Sequence, residues 1–211
     1  MSLSVTTWFG VQTNNGKVVG LNLSDNNLTG KLPDEFSDLV NLVIVDLHNN
    51  TIYGTLPIHI ENLKNLEVLD ISSNNISGEL PSNIGSLKHL EILSLFNNQI
   101  EGKLPNSVYE ILTLKVLLLN SNKLSGSLND KIKNFNSLEN LSLFDNNFNG
   151  KIPKGIESLH HLSEMNLSYN KFEGAVSKKI ALLDTLNMTM LDENDNPFLL
   201  EINSEKETTI E

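Results

Sequence analysis

The 211-residue sequence contains no cysteine. That excludes a disulfide framework, a thiolate metal centre and a cysteine nucleophile. Positive charge is scarce, with 15 Lys and Arg against 26 Asp and Glu and a formal charge of −11. A phosphate-backbone binder needs a basic surface, so this balance argues against nucleic acid as a partner. Long apolar runs are missing, and none approaches the ~20 residues of a membrane helix, so no membrane insertion by this chain is expected. The opening MSLSVTTWFG has neither a charged n-region nor an apolar h-region, and no signal peptide is visible in it. No P-loop, GxGxxG run or paired-carboxylate cleft occurs. Neither a cofactor nor a metal centre is expected.

Two residue types make up about a third of the chain, with 37 Leu and 31 Asn. The length fits one domain, or at most two, and suffices for a buried core. Charge is concentrated at the C-terminus: residues 192–211 hold seven acidic side chains against Lys206, −6 of the −11. The stretch INSEKETTIE is polar and aperiodic, so 204–211 is expected to be a disordered acidic tail.

A strict period organises the rest. Glycine recurs every 24 residues from Gly30 to Gly174, and asparagine every 24 from Asn26 to Asn194. Proline keeps the same phase at 33, 57, 81, 105 and 153, with Asn129 and Ser177 in the skipped slots. Repeat three, residues 66–89, shows the unit: LEVLDISSNNISGELPSNIGSLKH. Leu66, Leu69 and Ile71 alternate with Asp70 and Ser72, the pattern of a short strand with one face inward. Asn74 follows at a turn, where its amide can satisfy unpaired backbone groups. Gly78 suits a tight or positive-φ position. Pro81 ends local ladder pairing, and Ile84 and Leu87 return to the core. Such a unit cannot bury its own apolar face, whereas stacked neighbours bury a continuous one.

These residues resemble the plant-type leucine-rich repeat, LxxLxLxxNxLxGxIPxxIxxLxx. The match covers residues 18–191 as seven full repeats and a truncated eighth. Upstream, Trp8-Phe9-Gly10-Val11 and Gly16-Lys17-Val18 are similar to the family's N-terminal cap, so residues 1–17 are expected to be a cap remnant. The two cap cysteines align with Thr6 and Thr13, a departure that resembles Cys-free microbial relatives of the repeat. The resemblance implies an α/β-type repeat solenoid, a leucine-rich-repeat superhelix with a parallel concave β-sheet and an irregular or 3₁₀ convex face. At ~4.8 Å between strands, eight copies predict a sheet roughly 38 Å along its axis. Residues 192–203, with Asn196-Pro197-Phe198-Leu199-Leu200, are expected to form a C-terminal cap.

Function must then be argued from the outward columns of the strands. Constant phase predicts five such columns, with Met188 beside Glu164. Ile92, Phe96, Val116, Leu118 and Phe144 fall together on three adjacent strands, flanked by Asn120, Ser94 and Ser142. Read one way they form an exposed partner surface; read the other way they shield the sheet. Asp25, Asp46, Glu67, Asp70 and Glu91 make the first strands acidic, which predicts a basic partner. His48 stands between Ser24 and Ser72 with Asp46 and Asp70 nearby. A catalytic triad needs a buried Asp and an oxyanion hole, and an open sheet offers neither. Asp46 and His48 lie about 6.6 Å apart along one strand at ~3.3 Å per residue; a weak metal contact with Asp70 is the alternative to the expected solvated polar face. Seven Asn-x-Ser/Thr sequons arise largely from the repeat itself and tilt only slightly towards an extracellular or cell-surface location.

The expected function is non-enzymatic recognition of a protein or peptide by a monomeric solenoid. The alternatives are an adhesive or structural surface module, including carbohydrate binding, and an interaction domain of a larger enzyme or receptor.

Overall fold

The computed structural model of the chain describes residues 8–174 and the strand Asn187–Thr189. The C-terminal cap and acidic tail expected at 192–211 lie outside the described residues. Each repeat from the second to the seventh opens on a three-residue strand: Ile44–Asp46, Val68–Asp70, Ile92–Ser94, Val116–Leu118, Asn140–Ser142 and Glu164–Asn166. Lys17–Asn22 precedes them and Asn187–Thr189 follows, all parallel. Val11–Asn14 closes the N-terminal edge antiparallel to Lys17–Asn22, completing a nine-stranded sheet. The hairpin turns on Asn15 and Gly16, both at positive φ (49° and 74°), as an Asn-Gly turn favours.

The alternation read from the sequence sets the inner face. Leu93, Leu95, Leu117, Leu119, Leu141 and Leu143 are each no more than 1% exposed. Ile84 and Leu87 return to the same core fully buried. That core is one column of apolar layers, each repeat covering the one before.

After each strand the chain turns on an asparagine. Asn98 Oδ1 accepts from Ile76 N (2.8 Å), while its Nδ2 donates to the carbonyls of Ile71, Leu95 and Phe96 at 3.0–3.3 Å. Asn50, Asn74, Asn122 and Asn146 repeat the same three-carbonyl pattern. Each amide therefore stitches two consecutive repeats, and the ladder runs the length of the stack.

Beyond the asparagine the chain adds an element that the expectation did not name. Seven further strands, from Thr29–Lys31 to Lys171–Glu173, form a second parallel sheet. Its glycines take positive φ, as at Gly78 (75°), where an added Cβ would lie 2.9 Å from Thr55 Cγ2. Only afterwards does the chain enter the anticipated 3₁₀ turns, such as Asn106–Glu110 and Lys154–Ser158, with Pro105 and Pro153 at their starts.

Two irregularities have local causes. The proline missing at 129 is explained by Tyr109, which is 1% exposed and packs 5.6 Å from Phe135. The Tyr109 hydroxyl accepts a bond from the Asn129 backbone N–H (3.1 Å), and proline has no N–H to give. The second lies in the last repeat, where Met188 rather than Thr189 stands opposite Met165, and Asn187 opposite Glu164. The strand pairing is thus one residue short of what the constant phase predicts.

Candidate functional site

From the second repeat on the concave strands are only three residues long, so three of the five predicted columns, the first and the last two, are not strand. The last column, Asp25, Asn49, Ser73, Asn97, Ser121, Asp145 and Tyr169, is a row of left-handed residues with φ from 52° to 56°. Asn, Asp and Ser tolerate that conformation through local side-chain hydrogen bonding, whereas a bulky residue there is an outlier. Tyr169, at φ 55°, is that outlier.

The expected apolar set does gather on the concave face, but not as an exposed patch. Ile92, Phe96, Val116, Leu118 and Phe144 are each half-buried, and Ser94 beside them is only 2% exposed. Three-residue strands at this spacing pack outward side chains against their lateral neighbours, which removes much of their surface. Ile44, Val68, Ile92 and Val116 stand in register on four adjacent strands as one apolar ladder. Ile44 is its most exposed member, at 37%, and it was left out of the predicted patch. Phe96, Leu118 and Asn120 line a shallow depression of about 370 Å³ with Asn140, Ser142 and Asn166. Phe144 sits beside it in edge contact with Tyr169, ring centroids 5.0 Å apart. Tyr169 is absent from the expected patch; its type, in a column otherwise of Asn, Asp and Ser, is the signal that could have found it.

The acidic strands are only partly as expected. Glu91 is taken up by Lys115 at 2.7 Å, while Glu67 remains exposed. Asp46 and Asp70 are in register on adjacent strands. Between them and Asp25 lies His48, whose ring reaches both flanks. Its Nδ1 is 2.7 Å from Asp46 Oδ1 and its Nε2 is 3.3 Å from Asp25 Oδ2, so the side chains close the ~6.6 Å that strand spacing sets between the backbones of residues 46 and 48. The side chains bend towards each other because His48 lies past the end of the strand. The hydrogen bond to Asp46, aided by the charges of Asp46, Asp70 and Asp25, raises the His48 pKa above 6.5 against the opposing effect of burial. Neither serine bonds the ring: Ser24 Oγ donates to Asn22 Oδ1, and Ser72 Oγ donates to Asp70 Oδ1 (2.6 Å).

Of the sequon asparagines, Asn49 donates its amide to Asp25 and Asn140 to Glu164, whereas Asn27 and Asn75 are exposed at the turn and on the second sheet. Among the described residues, no helix is long and apolar enough to cross a membrane.

A family model described as a leucine-rich repeat region matches residues 59–193, and a single Leucine Rich Repeat model matches 17–39 and 41–63. No curated protein matches the chain. Among solved structures, the PEPR1–AtPEP1 complex is 33% identical with a TM-score of 0.84, over 90% of this chain and 27% of that one. The LRR ectodomain of the Arabidopsis receptor kinase HAESA, in complex with an N-terminally extended IDA peptide hormone, is 29% identical with a TM-score of 0.79, over 89% of this chain and 36% of that one. A plant ice-binding protein is 25% identical with a TM-score of 0.78, over 89% of this chain and 63% of that one. The chain therefore spans 27% and 36% of those two receptor chains. These likenesses do not address the microbial kinship suggested by the cap. Matched over residues 59–193, superposing on receptor-kinase ectodomains and free of cysteine throughout, the chain belongs to the leucine-rich repeat family.

Proposed function

We propose that the chain is a binding module that recognises an extended peptide or a protein segment along its concave sheet, with no chemistry of its own. The observation that carries this is the juxtaposition of two surfaces: a depression on repeats four to seven, in which Phe96 and Leu118 stand among Asn120, Asn140, Ser142, Glu164 and Asn166, and an acidic surface on repeats one to three. Phe96, Leu118 and Phe144 with Ile92, Val116 and Asn120 would seat an apolar side chain. Asp46, Glu67 and Asp70, joined in part by Glu91, would meet a cationic one. A centrally placed apolar contact ringed by polar groups is where binding energy concentrates. The complexes of PEPR1 and HAESA with peptides support the reading, since those ectodomains share this fold. A rigid stack bonded repeat to repeat gives up little ordering entropy on binding.

The test is a displayed peptide library selected on the wild-type chain, followed by kinetics on the selected peptides. Leu118→Ser and Phe96→Ser should weaken binding at least tenfold while the fold persists. The selected peptides should be basic, and their on-rate should fall as salt rises. Binding unchanged in both variants would remove the concave depression from the site. A second reading, an adhesive surface, is favoured by the likeness to the ice-binding structure and by the exposed polar row Thr51, Asn75, Gln99, Lys123, Asn147 and Lys171 on the second sheet. It predicts adsorption that is lost on changing that row and indifferent to Leu118.

A further inference from the structure

The row of outward residues on repeats two to four, Asp46, Asp70 and Ser94, is in register across three strands. Asp46, His48 and Asp70 each offer one ligand atom, and the three atoms lie within 4.8 Å of one another. The contributions come from two adjacent strands and from the residue just past one of them. Asp46 Oδ1 and His48 Nδ1 stand 2.7 Å apart. A zinc-like ion about 2.0–2.2 Å from each of two neighbouring ligands holds them roughly 3.0–3.4 Å apart. Admitting an ion therefore needs a sub-ångström opening of that pair and an inward swing of the half-exposed Asp70 carboxylate.

The ligands are already oriented from behind. Asp70 Oδ1 accepts from both the backbone N–H (2.9 Å) and the hydroxyl (2.6 Å) of the buried Ser72, and Asp46 Oδ1 accepts from the backbone N–H of His48 (3.2 Å). Outer contacts of this kind fix ligand geometry in metal sites. Asp25 adds a third carboxylate, 3.3 Å from His48 Nε2. Among the described residues, His48 is the only cationic partner in an ion pair with Asp25 or Asp46, and Asp70 is in no ion pair.

A second observation points the same way. Ser94 is 2% exposed, and its hydroxyl has no hydrogen-bond partner among the described residues. It stands one strand on from Asp70 and, by alternation from the core residues Leu93 and Leu95, on the same face. The swing of Asp70 that the ion requires would open space on its Ser94 side, where a metal-bound water would give the buried hydroxyl the partner it lacks.

We propose that Asp46, His48 and Asp70 form a site for a first-row divalent cation of the zinc class, with three protein ligands and water completing the shell. One imidazole with two carboxylates suits such an ion, and the open concave face leaves the remaining positions to water. The site draws on Asp46 and Asp70 of the acidic surface proposed to meet the peptide, and a zinc titration without peptide tests it separately from that reading.

The probe is zinc chloride titrated calorimetrically into the full chain in a non-chelating buffer. Wild type should show one saturable site at micromolar zinc. His48→Gln, Asp46→Asn and Asp70→Asn should each weaken it at least tenfold, and Ser94→Ala less. His160→Gln with His161→Gln, which changes the exposed histidine pair elsewhere, should leave it intact. Loss of the site in that double variant, with retention in His48→Gln, overturns the proposal, as does a wild type that takes up no zinc at a hundred micromolar. Should a variant fail to fold, the ring-nitrogen resonances of His48 in wild type decide. They should shift on adding zinc, and unmoved resonances refute the site.

Discussion

At the scale of single residues, the buried amides are the most consequential side chains. Asn98 accepts from the Ile76 N–H and adds a second donor to three carbonyls, which also accept from Asn74 Nδ2 (Ile71 O), Asn122 Nδ2 (Leu95 O) and the Ser73 N–H (Phe96 O). Removing it takes the acceptor from the Ile76 N–H and one donor from each carbonyl, at about 1–3 kcal/mol, most of it for the N–H. Asn98→Ala should therefore lower the unfolding free energy by that amount, seen as a lower urea midpoint with an unchanged m-value, and an unmoved midpoint would refute the ladder. Tyr169 holds the opposite balance. Its left-handed backbone stores about 1–3 kcal/mol, while its edge contact with Phe144 returns about 0.5–1.5 kcal/mol. Tyr169→Asn in wild type is expected to be close to neutral. In a Phe144→Ala background the contact is already gone, so the same change should stabilise by about 1 kcal/mol; a destabilising effect there would show that the backbone is not strained. His48 gives the pH dependence. Its folded pKa is raised, so its contribution is fully present below the unfolded value of about 6.5 and fades as pH rises through the folded value. With chelator present, His48→Gln should cost more stability at pH 5.5 than at pH 8, and equal costs would exclude the bridge to Asp46 and Asp25. The amide and the histidine were legible as residues, the first from its period and the second from its neighbours. The approach of His48 to Asp46 was not, because straight-strand spacing applies only while the chain remains a strand.

At the scale of elements, alternation and period gave the concave sheet and its core residue by residue. The second sheet left no comparable trace. Its pairing is made by backbone groups that every residue possesses, and its outward side chains, Thr51, Asn75, Gln99, Lys123, Asn147 and Lys171, share polarity but no motif. The missing proline at 129 was legible as an exception without a cause, because the cause is 20 residues upstream on the neighbouring turn. Tyr109 and Asn129 should accordingly be coupled. In Asn129→Pro the proline Cδ takes the place of the N–H, against the Tyr109 hydroxyl, and the Asn129 cap on Lys131 N is lost. A loss of about 1–3 kcal/mol is expected. Tyr109→Phe removes the hydroxyl, so the double variant should recover part of that loss, with a coupling near 1 kcal/mol in a double-mutant cycle. Strict additivity would mean that the proline slot is empty for some other reason.

At the scale of the whole molecule, the solenoid is a stack in which each repeat touches only its neighbours, so stability is a sum of repeat and interface contributions. The charge of −11 is unevenly spread along it, and its C-terminal share lies outside the described residues. The proposed partner surface was legible as a set of columns, whereas its depth was not, because half-burial depends on how far lateral neighbours lean.

The asparagine ladder also sets how the protein answers to force. Every rung joins one repeat to the next, so a pull on the chain ends does not load the rungs together. It peels them singly from a terminus, each release freeing 24 residues, roughly 80 Å of contour at ~3.4 Å per residue. Stretched between its ends, the chain should yield as a regular sawtooth with that spacing. Asn98→Ala should lower one tooth near the middle and leave the others in place.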